Sequence, residues 1–361
     1  MTEPDRDPAA GGVASDRGRR SISGPALNLL LATASILFTL LALELALRVY
    51  HGKLFDFSSQ LTPLANRSEN PVAQYDSLLG WVPRPGVHQR AADEQWTVNE
   101  AGLRSNGSSL ASVDDRPIVV VGDSFTFGDE VRDDETWPAR LEALLDVPVL
   151  NGGVFAYGVD QAYLRATRLI ETHDPAVVLL AFVSDDVSRS ELMFYGGWKP
   201  YFAYEDGALV LRNVPVPSGA GPGANFAVTR RVLGYSYLCS ALFSRIAERW
   251  WSIGTATRVH EDGDAIVVDL FERLASFARS RNTDFAVVAL ASSGRFAGNT
   301  RVAGVVEESR RRGIAVLDLV AEVERIPADS VNVVYLERGH YSPRVNGLIA
   351  ERIAAFLDER R

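Results

Sequence analysis

Five apolar runs recur between residues 117 and 319 and constrain the fold more than any other feature. They are rich in Val, Leu, Ile and Ala, they lack polar alternation, and segments with helical periodicity separate most of them. The runs are residues 117–121, 147–150, 176–183, 284–291 and 314–319, and the helical patterns are residues 135–146, 160–172, 264–281, 300–312 and 344–359. Strands that are buried on both faces have such unbroken apolar sequences, and their alternation with helices is typical of a parallel sheet with helices on both faces. The sequence predicts an α/β fold, a three-layer α/β/α sandwich with a five-stranded parallel sheet.

The connection at residues 184–262 is too long for a simple crossover and predicts an insertion. Within it, Asp206-Gly207 predicts a tight hairpin turn. The insertion begins at the C-terminal end of the third strand, and loops at that end of the strands line the ligand crevice of open α/β sheets. Its aromatic residues either cover a substrate or pack within a subdomain; they include Tyr195, Trp198, Tyr201 and Phe202.

The N-terminal part predicts a membrane anchor. Residues 1–24 are rich in Pro, Gly, Ser, Asp and Arg and predict a disordered tail. No charge occurs from Ala26 to Leu43, so residues 25–49 are long enough to cross a bilayer. A cleaved signal peptide and a buried helix are the alternatives, although no A-x-A cleavage site follows the run.

The flanking charges and the remaining segments complete the predicted organisation. Arg17, Arg19 and Arg20 precede the apolar run, which favours an N-terminus inside the cell and the other residues outside the cytoplasm. Residues 50–114 form a linker and a short β-rich lead-in, and residues 115–361 form the main domain. The predicted localisation is thus a single-pass cell-membrane protein.

Composition excludes some functions. The net charge is −9 and the isoelectric point about 5.2, so the electrostatics give no support to nucleic-acid binding. Cys239 is the single cysteine, so the chain has no intrachain disulfide. No sequence pattern calls for a cofactor.

One strand ends on a candidate nucleophile. In PIVVVGDSFTFGDEV, residues 117–131, a β-branched run stops at Gly122-Asp123-Ser124. A serine placed where a buried strand ends can present its hydroxyl beside unpaired backbone N–H groups, which suits nucleophilic attack. The same three residues also form ordinary turns, so this segment alone leaves both interpretations open.

Later segments supply partners for such a serine. After the second strand, Gly152 and Gly153 allow the backbone to approach a ligand closely. Ser184-Asp185-Asp186 follows the third strand. A serine nucleophile needs a base and the base an orienting carboxylate, and Glu337 and His340 lie three residues apart just before the last helix.

These four segments, in this order, resemble the blocks of the SGNH (GDSL-type) esterase and acyl-hydrolase superfamily. The resemblance covers residues 115–360, and the lead-in LGWVPRPG…NEAGLRS is more loosely similar to membrane-anchored bacterial members. It implies a flavodoxin-like sheet and a Ser–His–Asp triad. Carried over, Ser124 is the nucleophile and His340 the base. The implied oxyanion hole comprises the Ser124 amide, the Gly153 amide, with Gly152 as the neighbouring option, and the side chain at position 185.

Two positions depart from the family pattern. The family's aspartate three residues before the histidine is Glu337 here; either Glu337 orients His340, or it is a surface residue and a carbonyl does so. The family's asparagine is Asp185, and an ionised carboxylate repels an oxyanion instead of donating to it. Either Asp185 is protonated, or the hole has fewer or other donors, or activity is weak. A metal at Asp185 and Asp186 is disfavoured, because no other ligand cluster accompanies them, so no metal site is predicted.

The sequence therefore predicts a membrane-anchored, extracytoplasmic serine esterase or acyl-ester hydrolase. Its partners are an acyl-ester small molecule or carbohydrate and the lipid bilayer around residues 25–49, with no nucleic acid. An O-acyltransferase acting on envelope carbohydrate uses the same residues with a sugar hydroxyl in place of water. A non-catalytic binding or assembly protein on the same fold is the alternative from another class.

Overall fold

The computed structural model describes residues 24–52, 54–55, 71–91, 94–107, 116–219, 221, 227–247, 251, 256–293, 299–327 and 334–360. The predicted disordered tail lies outside these residues apart from Gly24, as does much of the predicted linker.

The secondary structure follows the predicted alternation closely. In chain order the elements are α1 (Gly24–Tyr50), β1 (Ala73–Asp76), β2 (Gly80–Pro83), β3 (Gly86–Ala91), β4 (Glu94–Val98), β5 (Ile118–Val121), α2 (Ser124–Phe127), α3 (Trp137–Leu145), β6 (Val149–Asn151), α4 (Val159–His173), β7 (Val177–Phe182), α5 (Ser184–Arg189), β8 (Leu192–Tyr195), β9 (Tyr201–Glu205), β10 (Ala208–Arg212), α6 (Ala227–Leu233), α7 (Tyr237–Ile246), β11 (Ala256–Arg258), α8 (Gly263–Ser280), β12 (Asp284–Ala289), α9 (Val302–Arg311), β13 (Val316–Asp318), α10 (Val320–Glu324) and α11 (Pro343–Asp358).

Five of these strands form the predicted parallel sheet, in the spatial order β13-β12-β7-β5-β6. The central strand, β7, pairs with β5 from Val177 opposite Ile118 to Leu180 opposite Val121. Every residue of β5 is buried, which explains its unbroken apolar sequence.

Helices cover both faces of the sheet. On one face α4, α8 and α9 bury a cluster that includes Leu169, Phe271 and Val305. On the other face α3 and α11 bury Trp137 and Ile349. The predicted three-layer α/β/α sandwich is confirmed. The start of α11 also matches its sequence signal, since Ser342 accepts a hydrogen bond from the Val345 N–H and Pro343 is the first helical residue.

The insertion contains the predicted hairpin. Strands β9 and β10 pair antiparallel, and the turn residues Asp206 and Gly207 have φ angles of 49° and 78°. Two of the four aromatic residues named above pack against other rings of the protein. Phe202 is buried against Tyr163, and Trp198 contacts Phe194 edge to face. The packed alternative is thus favoured over a substrate cover.

Helix α1 stands apart from the sandwich. Its span Leu27–Tyr50 has a mean hydropathy of 2.2, and no part of its most apolar window is buried. Its length and composition suit a membrane-spanning helix, although a signal sequence near the N-terminus passes the same test.

Candidate active site

Ser124 lies where β5 gives way to α2, at the carboxyl edge of the sheet. Asp123 is the N-cap of this short helix, and its side chain accepts the Phe125 N–H at 2.9 Å. The turn passes close to the next strand, because a Cβ on Gly122 would lie 2.5 Å from the Ala181 carbonyl oxygen. The sequence therefore needs glycine here to lead a buried strand into the serine.

His340 lies beside Ser124 although 216 residues separate the two. Its Nε2 is 2.9 Å from Ser124 Oγ. Both residues are more than nine-tenths buried, and the Phe125 ring lies 5.1 Å from the imidazole. The two residues that the sequence pairs as nucleophile and base are therefore brought together by the fold.

The acidic partner of His340 is Glu130, not Glu337. Glu130 Oε2 lies 2.8 Å from His340 Nδ1 and also accepts the His340 backbone N–H at 3.0 Å. Its other oxygen accepts the Arg338 N–H at 2.6 Å. Glu337 is exposed to solvent. The expectation that Glu337 orients His340 is wrong, because the loop before α11 turns the Glu337 side chain toward solvent. Backbone N–H groups of the same loop, those of Arg338 and His340, bind Glu130 instead.

The hydrogen bonds fix the charge state of Glu130. Burial by itself raises the pKa of this carboxyl, but the hydrogen bonds from the His340 side chain and from the Arg338 and His340 N–H groups outweigh burial. The pKa of Glu130 is therefore lower than the ordinary value for a glutamate. An ionised carboxylate at Nδ1 places the ring proton on that nitrogen and leaves Nε2 as the acceptor for a serine proton.

Arg104 of the lead-in holds the loop that carries Glu130. Its guanidinium is buried and donates to the carbonyls of Phe127, Gly128 and Val131 at 3.1, 2.5 and 2.7 Å. Glu130 has a φ of 73°, a left-handed conformation that is uncommon for residues other than glycine. Three carbonyl contacts around one strained residue indicate that Arg104 stabilises this conformation.

The predicted glycine donors are already engaged. The Gly153 N–H donates to Asn151 Oδ1 at 3.0 Å, and the Gly152 N–H donates to the Val120 carbonyl at 2.8 Å. An amide has one hydrogen, so neither glycine supplies the predicted oxyanion donor in this arrangement. Gly153 instead serves close packing, because a Cβ there would lie 2.3 Å from the Phe127 nitrogen.

Two other backbone N–H groups belong to the turn at Ser124 and to the loop that follows β6. Ser124 begins a helix, so its N–H has no intrahelical acceptor, and within the described residues neither it nor the Ala156 N–H donates to the protein. Ala156 has a φ of 61°, a strained conformation for alanine. The next residue, Tyr157, accepts from Arg189 Nη1, which also contacts Asp123.

Asp185 and Asp186 both lie in the first turn of α5, at the end of β7, but their surroundings differ. Asp185 is half-buried, whereas Asp186 is buried and bonded to Arg189 Nη1 at 2.6 Å and to the Val183 N–H at 3.0 Å. The same Arg189 nitrogen contacts Asp123 Oδ2 at 3.1 Å. Burial and then the neighbouring Asp123 raise the pKa of Asp186, with Arg189 opposing them. Arg189 thus joins the Ser124 turn to the Asp185 turn.

Sequence reasoning missed Glu130, Arg104 and Arg189. Glu130 is six residues after Ser124, and its partner His340 is 210 residues away. The signal that was available is an acidic pair, Asp129-Glu130, directly after the glycine that ends α2. No cluster of three or more His, Cys, Asp or Glu side chains suited to a metal occurs among the described residues.

No protein-family model matches the chain. A curated arylesterase of Vibrio mimicus is 31% identical over 86 residues, which are 22% of this chain and 43% of that protein. The chain thus matches less than half the length of this relative. Two solved structures are also similar: a protein assigned to the G-D-S-L lipolytic family from Desulfitobacterium hafniense and a lipase/acylhydrolase from Enterococcus faecalis.

The first structure is 18% identical, spans 67% of this chain and 99% of its own, and has a TM-score of 0.38. The second is 14% identical, spans 68% and 96%, and has a TM-score of 0.39. Because both TM-scores are below 0.5, the fold is assigned from the observed strand order and not from these two structures.

Proposed function

We propose that this protein is a serine esterase or acyl-ester hydrolase in which Ser124, His340 and Glu130 form the catalytic triad. The observation that carries the proposal is the continuous hydrogen-bonded chain from Ser124 Oγ through both nitrogens of His340 to Glu130. A nucleophile, a base and an orienting carboxylate in this geometry define the acyl-transfer triad on many unrelated folds.

In the first half-reaction, Ser124 Oγ attacks the ester carbonyl and its proton passes to His340 Nε2. The imidazolium that forms keeps its Nδ1–H on Glu130, which stays ionised because its pKa is low. The tetrahedral intermediate then collapses, the C–O bond to the alcohol breaks, and His340 returns the proton to the leaving alcohol. An acyl group remains on Ser124.

In the second half-reaction, His340 accepts a proton from water as the water oxygen attacks the acyl carbonyl. Collapse of the second intermediate breaks the bond to Ser124 Oγ, and the proton on His340 returns to that oxygen. The products are a carboxylic acid and an alcohol, and no cofactor takes part. Small acyl esters, including O-acyl groups on carbohydrate, are the proposed substrates.

The oxyanion needs hydrogen-bond donors in the intermediate. The Ser124 N–H is the first, and the Ala156 N–H, on the neighbouring loop, is our candidate for the second. The strained φ of Ala156 supports this assignment, since backbone strain clusters at functional sites. Asp185 would oppose the oxyanion when ionised and donate to it only when protonated.

We further propose that α1 anchors the enzyme in the cell membrane and that the α/β domain lies outside the cytoplasm. The exposed apolar length of α1 supports the anchor, and the arginines before it support the orientation. Protease treatment of intact cells tests the orientation, because the domain should be cleaved from outside. Protection of the domain until the cells are lysed would contradict it.

Hydrolysis of a short-chain aryl ester by the full-length chain in detergent tests the catalytic proposal. Ser124→Ala should lower kcat by about 10⁴-fold or more. Ser280→Ala, at an exposed serine near the end of α8, is the matched control and should leave kcat unchanged. Equal rates for the two variants would reject Ser124 as the nucleophile, and a wild type without activity would favour the binding-protein alternative.

A further inference from the structure

The insertion contains a pair of short helices whose apolar side chains face solvent. We call α6, α7 and the turn between them, residues 227–246, the α6–α7 hairpin. Val228 and Val232, one turn apart on α6, are 74% and 63% exposed. Leu242 and Ile246, one turn apart on α7, are 49% and 69% exposed. Two neighbouring exposed apolar stripes are unusual on a soluble surface and mark an interaction site.

The hairpin is attached to the end of α1. Glu44 accepts hydrogen bonds from the Tyr237 and Leu238 N–H groups at 3.1 and 2.9 Å and from Ser236 Oγ at 2.8 Å. Arg48, which pairs with Glu44 at 2.7 Å, donates to the Tyr235 carbonyl at 2.7 Å. These polar groups on α1 are therefore satisfied by the hairpin rather than by solvent.

The position of these contacts along α1 sets the depth of the hairpin relative to the bilayer. A bilayer core about 30 Å thick takes roughly 20 helical residues. A core that begins near Leu27 therefore ends near Ala46, between Glu44 and Arg48. Tyr50 and His51 follow, and the His51 ring lies 5.5 Å from that of Tyr237. The hairpin thus starts at the boundary between acyl chains and headgroups.

The charge of the hairpin also suits this boundary. Residues 227–246 contain three arginines and no acidic residue, in a chain whose net charge is −9. Apolar side chains together with arginines are the composition of helices that lie in the interface of membranes with anionic lipids.

We propose that the α6–α7 hairpin lies in the headgroup layer of the bilayer that α1 crosses, with Val228, Val232, Leu242 and Ile246 against the acyl chains. The occupant of its apolar surface is an anionic phospholipid membrane. This inference rests on the proposed anchoring by α1. It adds a second membrane contact, so the α/β domain is held against the surface instead of being linked to it through α1 alone.

Depth-dependent quenching tests the inference on the full-length chain. Cys239→Ser removes the single cysteine, and one cysteine is then introduced by Val232→Cys or Leu242→Cys on the hairpin. Leu144→Cys and Val87→Cys, at residues 53% and 64% exposed on α3 and β3, are the matched controls. Leu37→Cys reports on α1. Each variant carries a fluorophore in vesicles of phosphatidylethanolamine and phosphatidylglycerol, with or without brominated acyl chains.

The hairpin labels should be quenched several-fold more than the labels at positions 87 and 144, and the label at position 37 should be quenched most. Quenching at positions 232 and 242 no greater than at the controls, with position 37 quenched, would overturn the hairpin inference and leave the anchor intact. An unquenched label at position 37 would overturn both. Circular dichroism and ester hydrolysis by each variant verify the fold, and neither outcome bears on the catalytic triad.

Discussion

Two turns at the carboxyl edge of the sheet, one after β5 and one after β7, share the same framework but present side chains of different charge, a neutral serine and an acid. Each turn leads a buried strand into a short helix and holds a buried aspartate, Asp123 or Asp186, on the same Arg189. The first turn then presents Ser124 to His340, whereas the second presents Asp185, an acid where the family resemblance implies an amide.

The difference separates two parts of the candidate site, the hydrogen-bonded chain at Ser124 and the position of Asp185. In the turn after β5, Ser124, His340 and Glu130 are all joined by hydrogen bonds of 2.8–3.0 Å. In the turn after β7, Asp186 is held by Arg189, and residue 185 is an acid where the family resemblance implies an asparagine. The hydrogen bonds that join Ser124, His340 and Glu130 therefore do not include residue 185, whereas the proposed oxyanion contact does.

The largest expected effect separates the two glutamates near His340. Glu130→Ala should lower kcat by about 10³–10⁴-fold, because the imidazole loses the group that fixes its tautomer and stabilises its charge. Glu337→Ala should change kcat less than about two-fold, since the side chain is exposed and the acid partner is elsewhere. Ester hydrolysis at saturating substrate measures both, and the reverse ranking would restore Glu337 as the acid.

The next effect tests how the first turn is held. Arg104→Met removes donors to three carbonyls and an ion pair with Asp133, so unfolding should cost about 3 kcal/mol less and kcat should fall about 10- to 100-fold. Arg132→Met, at a half-exposed arginine in the same segment, should change either quantity little. Chemical denaturation and ester hydrolysis measure them. Equal losses in the two variants would remove the positioning role of Arg104.

A smaller effect sharpens the contrast at the second turn. Asp185→Asn replaces a group that repels the oxyanion by one that donates to it, so kcat should be preserved or rise, by up to about 10-fold. Asp186→Asn should instead destabilise the fold, because it breaks a buried pair with Arg189. A collapse of activity in folded Asp185→Asn would show that this carboxylate has a function of its own.

The smallest effect concerns acid stability. The folded-state pKa of Glu130 lies below the ordinary value of 4.5, so the carboxylate stabilises the fold above pH 4.5 and loses this contribution as the pH falls through the lowered pKa. The melting temperature of the wild type should therefore exceed that of Glu130→Gln by a few degrees at pH 5, and the difference should shrink as the pH falls further. A difference that grows below pH 5 would contradict the assigned charge state.

Much of the fold was predictable because buried parallel strands leave an unbroken apolar signature. All five sheet strands were located in this way, and the Asp206-Gly207 hairpin was located from its turn residues. Ser124 and His340 were predictable only in combination, because Gly122-Asp123-Ser124 alone also forms ordinary turns and His340 was paired with it from its place just before α11.

The errors arose where local spacing competed with contacts distant in sequence. Glu337 is three residues from His340, but the acid partner is Glu130, whose left-handed backbone and support by Arg104 leave no mark in a short motif. Gly152 and Gly153 were predicted to donate to the oxyanion because glycine lets the backbone approach a ligand closely. Their N–H groups instead donate to the Val120 carbonyl and to the Asn151 side chain. The docking of α7 on Glu44 joins residues more than 190 positions apart and had no local signal.

Covalent labelling with a serine-reactive phosphonate, followed by peptide mapping, tests the central claim most directly. The full-length protein should gain one adduct, located on Ser124, and labelling should slow at least about 100-fold in Glu130→Ala while Glu337→Ala reacts at the wild-type rate. An adduct on another serine, or a folded protein that hydrolyses esters without labelling at Ser124, would contradict the account.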